Sequence, residues 1–209
     1  MFLLPVGGVV EDRFGVLTSP AHLGIVAGIS GGMSWAADNG VYSGAFDAET
    51  YLPWLESLRE YAATCLFVLA PDVVGDAVAT LERYEQWAPK IRRLGFPVGF
   101  AAQDGIEALG LPGEFDALFI GGTTAWKLGD GALWAIREAQ RRGKHIHIGR
   151  VNYWRRYEYF AGLEGSDEWT CDGTRTRFEG RARAMEAWAG YQQRAYNLRL
   201  SVPKRDCPG

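Results

Sequence analysis

Two carboxylates stand just past short apolar runs, each next to or one residue short of a glycine: Asp38 in Asp38-Asn39-Gly40-Val41-Tyr42 and Asp172 in Cys171-Asp172-Gly173-Thr174. A carboxylate aimed inward can attack a sugar carbon of oxocarbenium character, and a second can move the proton that a departing or incoming purine requires. Three further marks suit recognition of a base instead. They are Asp72 in Leu69-Ala70-Pro71-Asp72, Gln103 in Ala102-Gln103-Asp104-Gly105, and Gly121-Gly122 after Phe119-Ile120. A guanine-like edge offers N1–H and an exocyclic amine as donors and O6 as an acceptor. Asp72 can accept from the donors, while Gln103 and backbone N–H groups near Gly122 complement O6. Glycine lets the backbone approach a ring closely. Tyr42, Trp126 and Trp154 could stack on a base, although packing accounts for most of the aromatic residues in a chain with 8 tryptophans. Each mark also has a local use. Asp-Asn-Gly and Asp-Gly are turn sequences, Asp72 could cap the helix that follows it, and Gly121-Gly122 could be a plain turn.

His145 and His147 alternate on one strand and so point the same way. Their spacing identifies no third metal ligand, and a solvated or lightly packed pair is the simpler expectation. No metal or other cofactor is expected. The formal charge of −3 argues against a polyanion partner, but its distribution is uneven. Residues 1–130 hold 7 Lys/Arg against 16 Asp/Glu, net −9, and residues 131–209 hold 15 against 9, net +6. Lys127, Arg150, Arg155, Arg156, Arg175 and Arg177 are therefore candidates for contacting a phosphate backbone, with a solvated cationic surface as the structural alternative.

The elements that must position these residues repeat as a short apolar run, a polar turn and an amphipathic stretch. Strands are expected at 67–70, 97–101, 117–120 and 146–148, with helices at about 74–94, 106–109, 133–142 and from 153. Earlier, 7–10, 23–27 and 33–37 are strand candidates and 49–62 reads as a helix. Later, a strand near 166–169 precedes Asp172, a helix covers about 181–193, and the tail from Ser201 to Gly209 frays. Six to eight strands with crossover helices, and no dinucleotide-type glycine fingerprint after the first, favour a compact or incomplete (β/α)8 barrel. With 209 residues the chain is short for that fold, which usually needs about 250. One domain is expected over residues 1–200.

The apolar start, Met1 to Val6, lacks a basic leading segment and does not read as a signal peptide; no later run has the ~20 apolar residues of a membrane span. Three distant cysteines, Cys65, Cys171 and Cys207, suggest a reducing compartment, hence the cytoplasm.

Taken in order, these segments resemble the tRNA-guanine transglycosylase superfamily, most closely its small DNA-acting branch from bacteriophages. Asp38-Asn39-Gly40-Val41-Tyr42 is similar to Asp-Ser-Gly-Gly-Phe, and Leu69-Ala70-Pro71-Asp72 to Met-Ala-Phe-Asp. Ala102 to Gly105 resembles Val-Gln-Gly-Gly, Phe119 to Gly122 resembles Ala-Ile-Gly-Gly, and His147-Ile148-Gly149-Arg150 resembles Met-Gly-Val-Gly. Gly165 to Asp172 resembles the Gly-x-Asp-x-x-Asp segment, with a gap from Asp167 to Asp172 two residues longer than the family pattern, so Asp167 stays open as an alternative nucleophile. The zinc motif Cys-x-Cys-x-x-Cys plus His has no counterpart, which weakens a tRNA substrate and the family's dimer.

The resemblance implies a pentosyltransferase that exchanges guanine in DNA for a 7-deazaguanine base through a covalent enzyme–sugar intermediate, in a host cytoplasm if phage-encoded. Asp172 would be the nucleophile, Asp38 the proton-transfer residue, and Asp72, Gln103, Gly121, Gly122 and Tyr42 the base site. An accessory protein could supply further binding surface. Exchange or hydrolysis on tRNA or on a free nucleoside or nucleotide is the enzymatic alternative, and a non-catalytic nucleic-acid-binding barrel is the other.

Overall fold

A computed structural model describes residues 2–5, 14–21, 27–163, 169–173 and 181–201. Eight parallel strands follow one another around a closed barrel. They are β1 (Phe2–Pro5), β2 (Phe14–Thr18), β3 (Trp35–Ala37), β4 (Cys65–Leu69), β5 (Val98–Ala102), β6 (Ala117–Ile120), β7 (His145–Ile148) and β8 (Trp169–Asp172). β1 closes the ring, pairing Phe2 with Phe14 of β2 and with Cys171 of β8. The expected compact (β/α)8-like barrel is therefore the fold, with no helix between β1 and β2 among the described residues.

The helices are α1 (Ala27–Ser30), α2 (Tyr51–Glu56), α3 (Ala77–Arg93), α4 (Ile106–Leu109), α5 (Thr124–Lys127), α6 (Asp130–Arg141), α7 (Trp154–Ala161) and α8 (Arg181–Ser201). Three of them, α1, α4 and α5, have only 4 residues. α1 and α4 are the only described helices of their connections, β2–β3 and β5–β6, and such short crossovers help a 209-residue chain complete the ring.

Strand composition follows from burial on both faces, which favours continuous apolar runs over alternation. Val16, Trp35, Val68, Phe100, Leu118, Ile120, Ile146 and Ile148 belong to the main core with the helices, while Leu17, Ala36, Phe67, Leu69, Ala101 and Ala117 form a second cluster that fills the lumen. Large and small side chains alternate there. A Cβ on Gly99 would come within 3.0 Å of the Phe67 ring, so this strand residue has to be small. The lumen wall at β7 and β8 is different: His145, His147 and Thr170 are polar, and His147 pairs in register with Thr170.

Several boundaries differ from expectation. The 7–10 strand candidate and residues 23–26 lie outside the described residues, whereas Ala27 opens α1. Strands β1 and β2 lie on either side of the 7–10 segment. The helix expected over 49–62 divides after Glu56 and resumes as a 3-10 turn over Arg59–Thr64. The bonds Leu58 N–H to Leu55 O and Tyr61 N–H to Leu58 O, 2.9 and 3.0 Å, tighten the chain there and keep Leu55 and Leu58 inside. β8 runs through Asp172 instead of stopping at Trp169, and α8 continues past Gln193 to Ser201. Residues 202–209, the expected frayed tail, are outside the described residues.

Candidate active site

The carboxyl ends of β3, β4, β5 and β6 bring Asn39, Asp72, Gln103 and Gly122 into one hydrogen-bonded group. Asp72 is not the cap of α3. That role falls to Asp76, whose carboxylate accepts from Ala79 N–H at 3.0 Å, leaving Asp72 free to turn into the mouth. Asp72 Oδ1 accepts from Asn39 Nδ2 at 2.9 Å and Oδ2 from Gln103 Nε2 at 2.6 Å. Burial raises the Asp72 carboxyl above its ordinary pKa, opposed by the hydrogen bonds from Asn39 and Gln103 and by the nearby Arg83.

Gln103 Oε1 accepts from Gly75 N–H and Gly122 N–H, each at 3.0 Å. The amide has only one sensible orientation: turned over, it would set its oxygen against a carboxylate and its NH2 against two N–H groups. This corrects the expected role of the glycine amides. Gly122 N–H is spent on the Gln103 side chain and Gly121 N–H on the backbone of β5 at Ala102 O, each at 3.0 Å, so neither amide faces a ligand. A Cβ on Gly121 would lie 2.7 Å from Gln103 Nε2, which explains the glycine as a seat for that amide. Capacity for a base remains in the second hydrogen of Gln103 Nε2 and the unused lone pairs of Asp72.

Asp38 and Asp172 have opposite surroundings. Asp38 follows β3, its N–H donating to Thr18 O at 2.8 Å and its Oδ1 accepting from Gly40 N–H at 3.0 Å. Burial, then the charges of Asp172 and Asp72, push its carboxyl up to about 6 despite that bond. Asp172 ends β8. Burial works against its charge, but hydrogen bonds outweigh that and hold its pKa below the usual value. His147 Nε2 lies 3.2 Å from Asp172 Oδ1, and Arg150 N–H donates to the same oxygen at 2.9 Å. Arg150 adopts φ +63°, a left-handed conformation uncommon for a residue with a Cβ, and this turn delivers its N–H to Asp172.

The histidines are not a solvated pair. Both face the lumen: His145 Nε2 and His147 Nδ1 each lie 2.8 Å from Thr170 Oγ1, and His147 stacks on Phe119 with centroids 4.8 Å apart. Burial lowers both, His145 to about 4, so the imidazoles are neutral near pH 7. Among the described residues no group of three or more His, Cys, Asp or Glu could hold a metal ion.

The basic candidates separate. Lys127 was expected at a phosphate-contacting surface but is buried, its ammonium donating to Gly149 O at 2.7 Å. It is the last residue of the single-turn α5, and its ammonium reaches the carbonyl just past the β7 end. Burial, then the Arg150 cation, lowers it to about 7. Arg150 donates through Nη2 to Gly122 O at 2.7 Å and lies over the exposed Tyr42 ring at 4.6 Å. Arg156 Nη1 ties the same turn through Arg150 O at 2.6 Å, and Arg155 is exposed. Arg175, Arg177 and Asp167 lie outside the described residues. Two contributors were missed in the sequence, Asn39, present only as part of a turn motif, and Thr170; His147 was named but read as solvated or lightly packed, and the signal for its contact was a His-x-His strand followed by a strand ending in Thr-Cys-Asp.

No family model, curated protein or solved structure matches the chain. Among the described residues, no helix is long and apolar enough to cross a membrane.

Proposed function

We propose that this barrel is a base-exchanging pentosyltransferase that displaces guanine from a deoxynucleotide in DNA and installs a 7-deazaguanine base through a covalent enzyme–sugar intermediate. The observation that carries the reading is a pair of carboxylates, Asp172 held ionised and Asp38 held near pKa 6, at the strand ends that also bear Asp72 and Gln103. Carboxyl groups pushed apart in pKa divide naturally into nucleophile and proton carrier.

Asp72 accepts from the N1–H and exocyclic amine of guanine, and the second hydrogen of Gln103 Nε2 serves O6. Asp172 attacks C1′ as the bond to N9 breaks; the electron pair leaves on the base, which takes the Asp38 proton. A deazaguanine then gives its proton to Asp38 and reverses the step. A base in a duplex must leave the stack, at a cost of a few kcal/mol that backbone contacts offset.

Exchange or hydrolysis on a smaller guanine nucleotide is the second reading. It is favoured by the rim, where Lys127 is buried and Arg150 and Arg156 are engaged within the protein. Supplying labelled 7-deazaguanine with DNA, tRNA or GMP separates the two by which acceptor gains label. With DNA, wild-type protein is expected to form a denaturant-resistant adduct that Asp172→Asn does not form. Undiminished exchange by Asp172→Asn removes the assignment, and DNA binding without exchange by wild type supports a non-catalytic barrel.

A further inference from the structure

His145, Thr170, His147 and Asp172 form a continuous file along the β7–β8 wall. The contacts run His145 Nε2 to Thr170 Oγ1, 2.8 Å; Thr170 Oγ1 to His147 Nδ1, 2.8 Å; and His147 Nε2 to Asp172 Oδ1, 3.2 Å. His147 is fully buried, stacked on Phe119 and tilted against Phe67 with centroids 5.3 Å apart, so its ring has little freedom to turn. Hydrogen placement follows from one end. An ionised carboxylate only accepts, so Nε2 of His147 carries the hydrogen. In a neutral ring Nδ1 is then an acceptor, the Thr170 hydroxyl donates to it, and His145 Nε2–H donates to the Thr170 oxygen. Every donor in the file points toward Asp172.

Both contacts to the Asp172 carboxylate among the described residues fall on Oδ1. We propose that His147, held as the Nε2–H tautomer by the Asp172 carboxylate and backed at Nδ1 by the Thr170 hydroxyl, is a positioning residue that together with the Arg150 N–H fixes Oδ1 and presents Oδ2 as the attacking atom. The role of Oδ2 rests on the base-exchange reading; the tautomer and the hold on the carboxylate do not. As Oδ2 bonds to C1′ and the C1′–N9 pair leaves with the base, Oδ1 becomes the ester carbonyl and keeps both donors. No proton moves along the file. On the return step the Oδ2–C1′ bond breaks and the re-forming carboxylate regains its charge under the same two N–H groups, which makes Asp172 a better leaving group. Removing one such donor therefore slows release of the sugar more than its capture.

The test has two arms. In the first, which needs no activity, side-chain 15N NMR of wild type is expected to show His147 neutral with its hydrogen on Nε2. The 13C titration of the Asp172 carboxyl is expected to move to higher pH in His147→Leu. Thr170→Val, which keeps the ring in place, serves if the leucine variant does not fold: without the donor at Nδ1 the Nε2–H bond weakens, and the Asp172 titration should move to higher pH by a smaller amount, an unmoved titration in both variants overturning the hold. An Nδ1–H tautomer or imidazolium in wild type, or an unmoved Asp172 titration in a folded His147→Leu, overturns the positioning role whatever the activity.

In the second arm, His147→Leu is expected to lower kcat for exchange about 100-fold with KM for the base little changed, and the fraction of enzyme trapped as the sugar adduct should rise. His147→Gln, which can return an N–H near the Nε2 position, should recover most of the rate. A fall in rate with no adduct build-up and no recovery by Gln overturns the leaving-group role. Wild type that exchanges no guanine substrate refutes the transglycosylase reading alone, since the NMR arm has decided the hold on Asp172.

Discussion

Replacing Asp38 by Asn should make the protein more stable and less active at once, and the stability gain should depend on pH. The Asp38 carboxyl rises from an ordinary value near 3.8 to about 6 because burial and the charges of Asp172 and Asp72 oppose its ionisation. Between those two values the unfolded chain has released its proton and the folded chain has kept it, so stability falls as pH rises through that window. Above it the penalty is complete. A gap of roughly 2 units at ~1.4 kcal/mol each sets an upper limit of ~3 kcal/mol. Asp38 is partly open to solvent, which brings the expected gain to ~1–2 kcal/mol. Asparagine keeps the size and an oxygen for the Gly40 N–H, so little else changes. Urea unfolding of both proteins at pH 4 and pH 8 should give nearly equal midpoints at the lower pH and a higher midpoint for Asp38→Asn at the upper. Exchange should fall by ~100-fold or more, the usual yield of a positioned proton carrier. A gain that is the same at both pH values, or a loss at pH 8, refutes the electrostatic account; an unimpaired exchange rate refutes the proton-transfer role.

Lys127 gives the mirror-image pH dependence. Its folded value near 7 lies below the ordinary 10.5, so the unfolded chain binds the extra proton between them and wild-type stability should increase as pH rises from 7 toward 10. Thermal unfolding of Lys127→Met across that range should show a flatter profile, and a slope identical to wild type would contradict the buried ammonium. Gln103→Glu sets a second carboxylate where the amide donates to Asp72 at 2.6 Å. It should abolish guanine binding in calorimetric titration and cost about 2 kcal/mol in urea unfolding at pH 8, easing as the pair takes up a proton at lower pH. Retained guanine affinity in that variant would remove Gln103 from the base edge.

Strands β4 to β7 were legible because a strand covered on both faces is a short unbroken apolar run closed by a polar turn, as in Phe67 to Ala70 and Ala117 to Ile120. β1 and β2 were not, since a four-residue run ending in Pro5 resembles a loose terminus and α1 is too short to show a helical period. The residues of the barrel mouth share this asymmetry. Asp72 and Gln103 could be named from their place after a strand, but the direction of the Gly121 and Gly122 amides depends on where the Gln103 oxygen lands. Lys127 misled for a similar reason: charge is read from composition, while burial is decided by one turn of helix.

The file from His145 to Asp172 needed the register of two strands that are distant in sequence. Its trace in the sequence is parity. If β8 stops at Trp169, Asp172 is a loop residue with no assigned face; if it runs on, Thr170 and Asp172 fall on the same face as His145 and His147. That one boundary decides whether the aspartate is a loose turn residue or the end of an oriented hydrogen-bonded file. For Asp172 the consequence is physical: a carboxylate that is both charged and buried requires fixed donors, and the β7–β8 wall supplies them at its Oδ1.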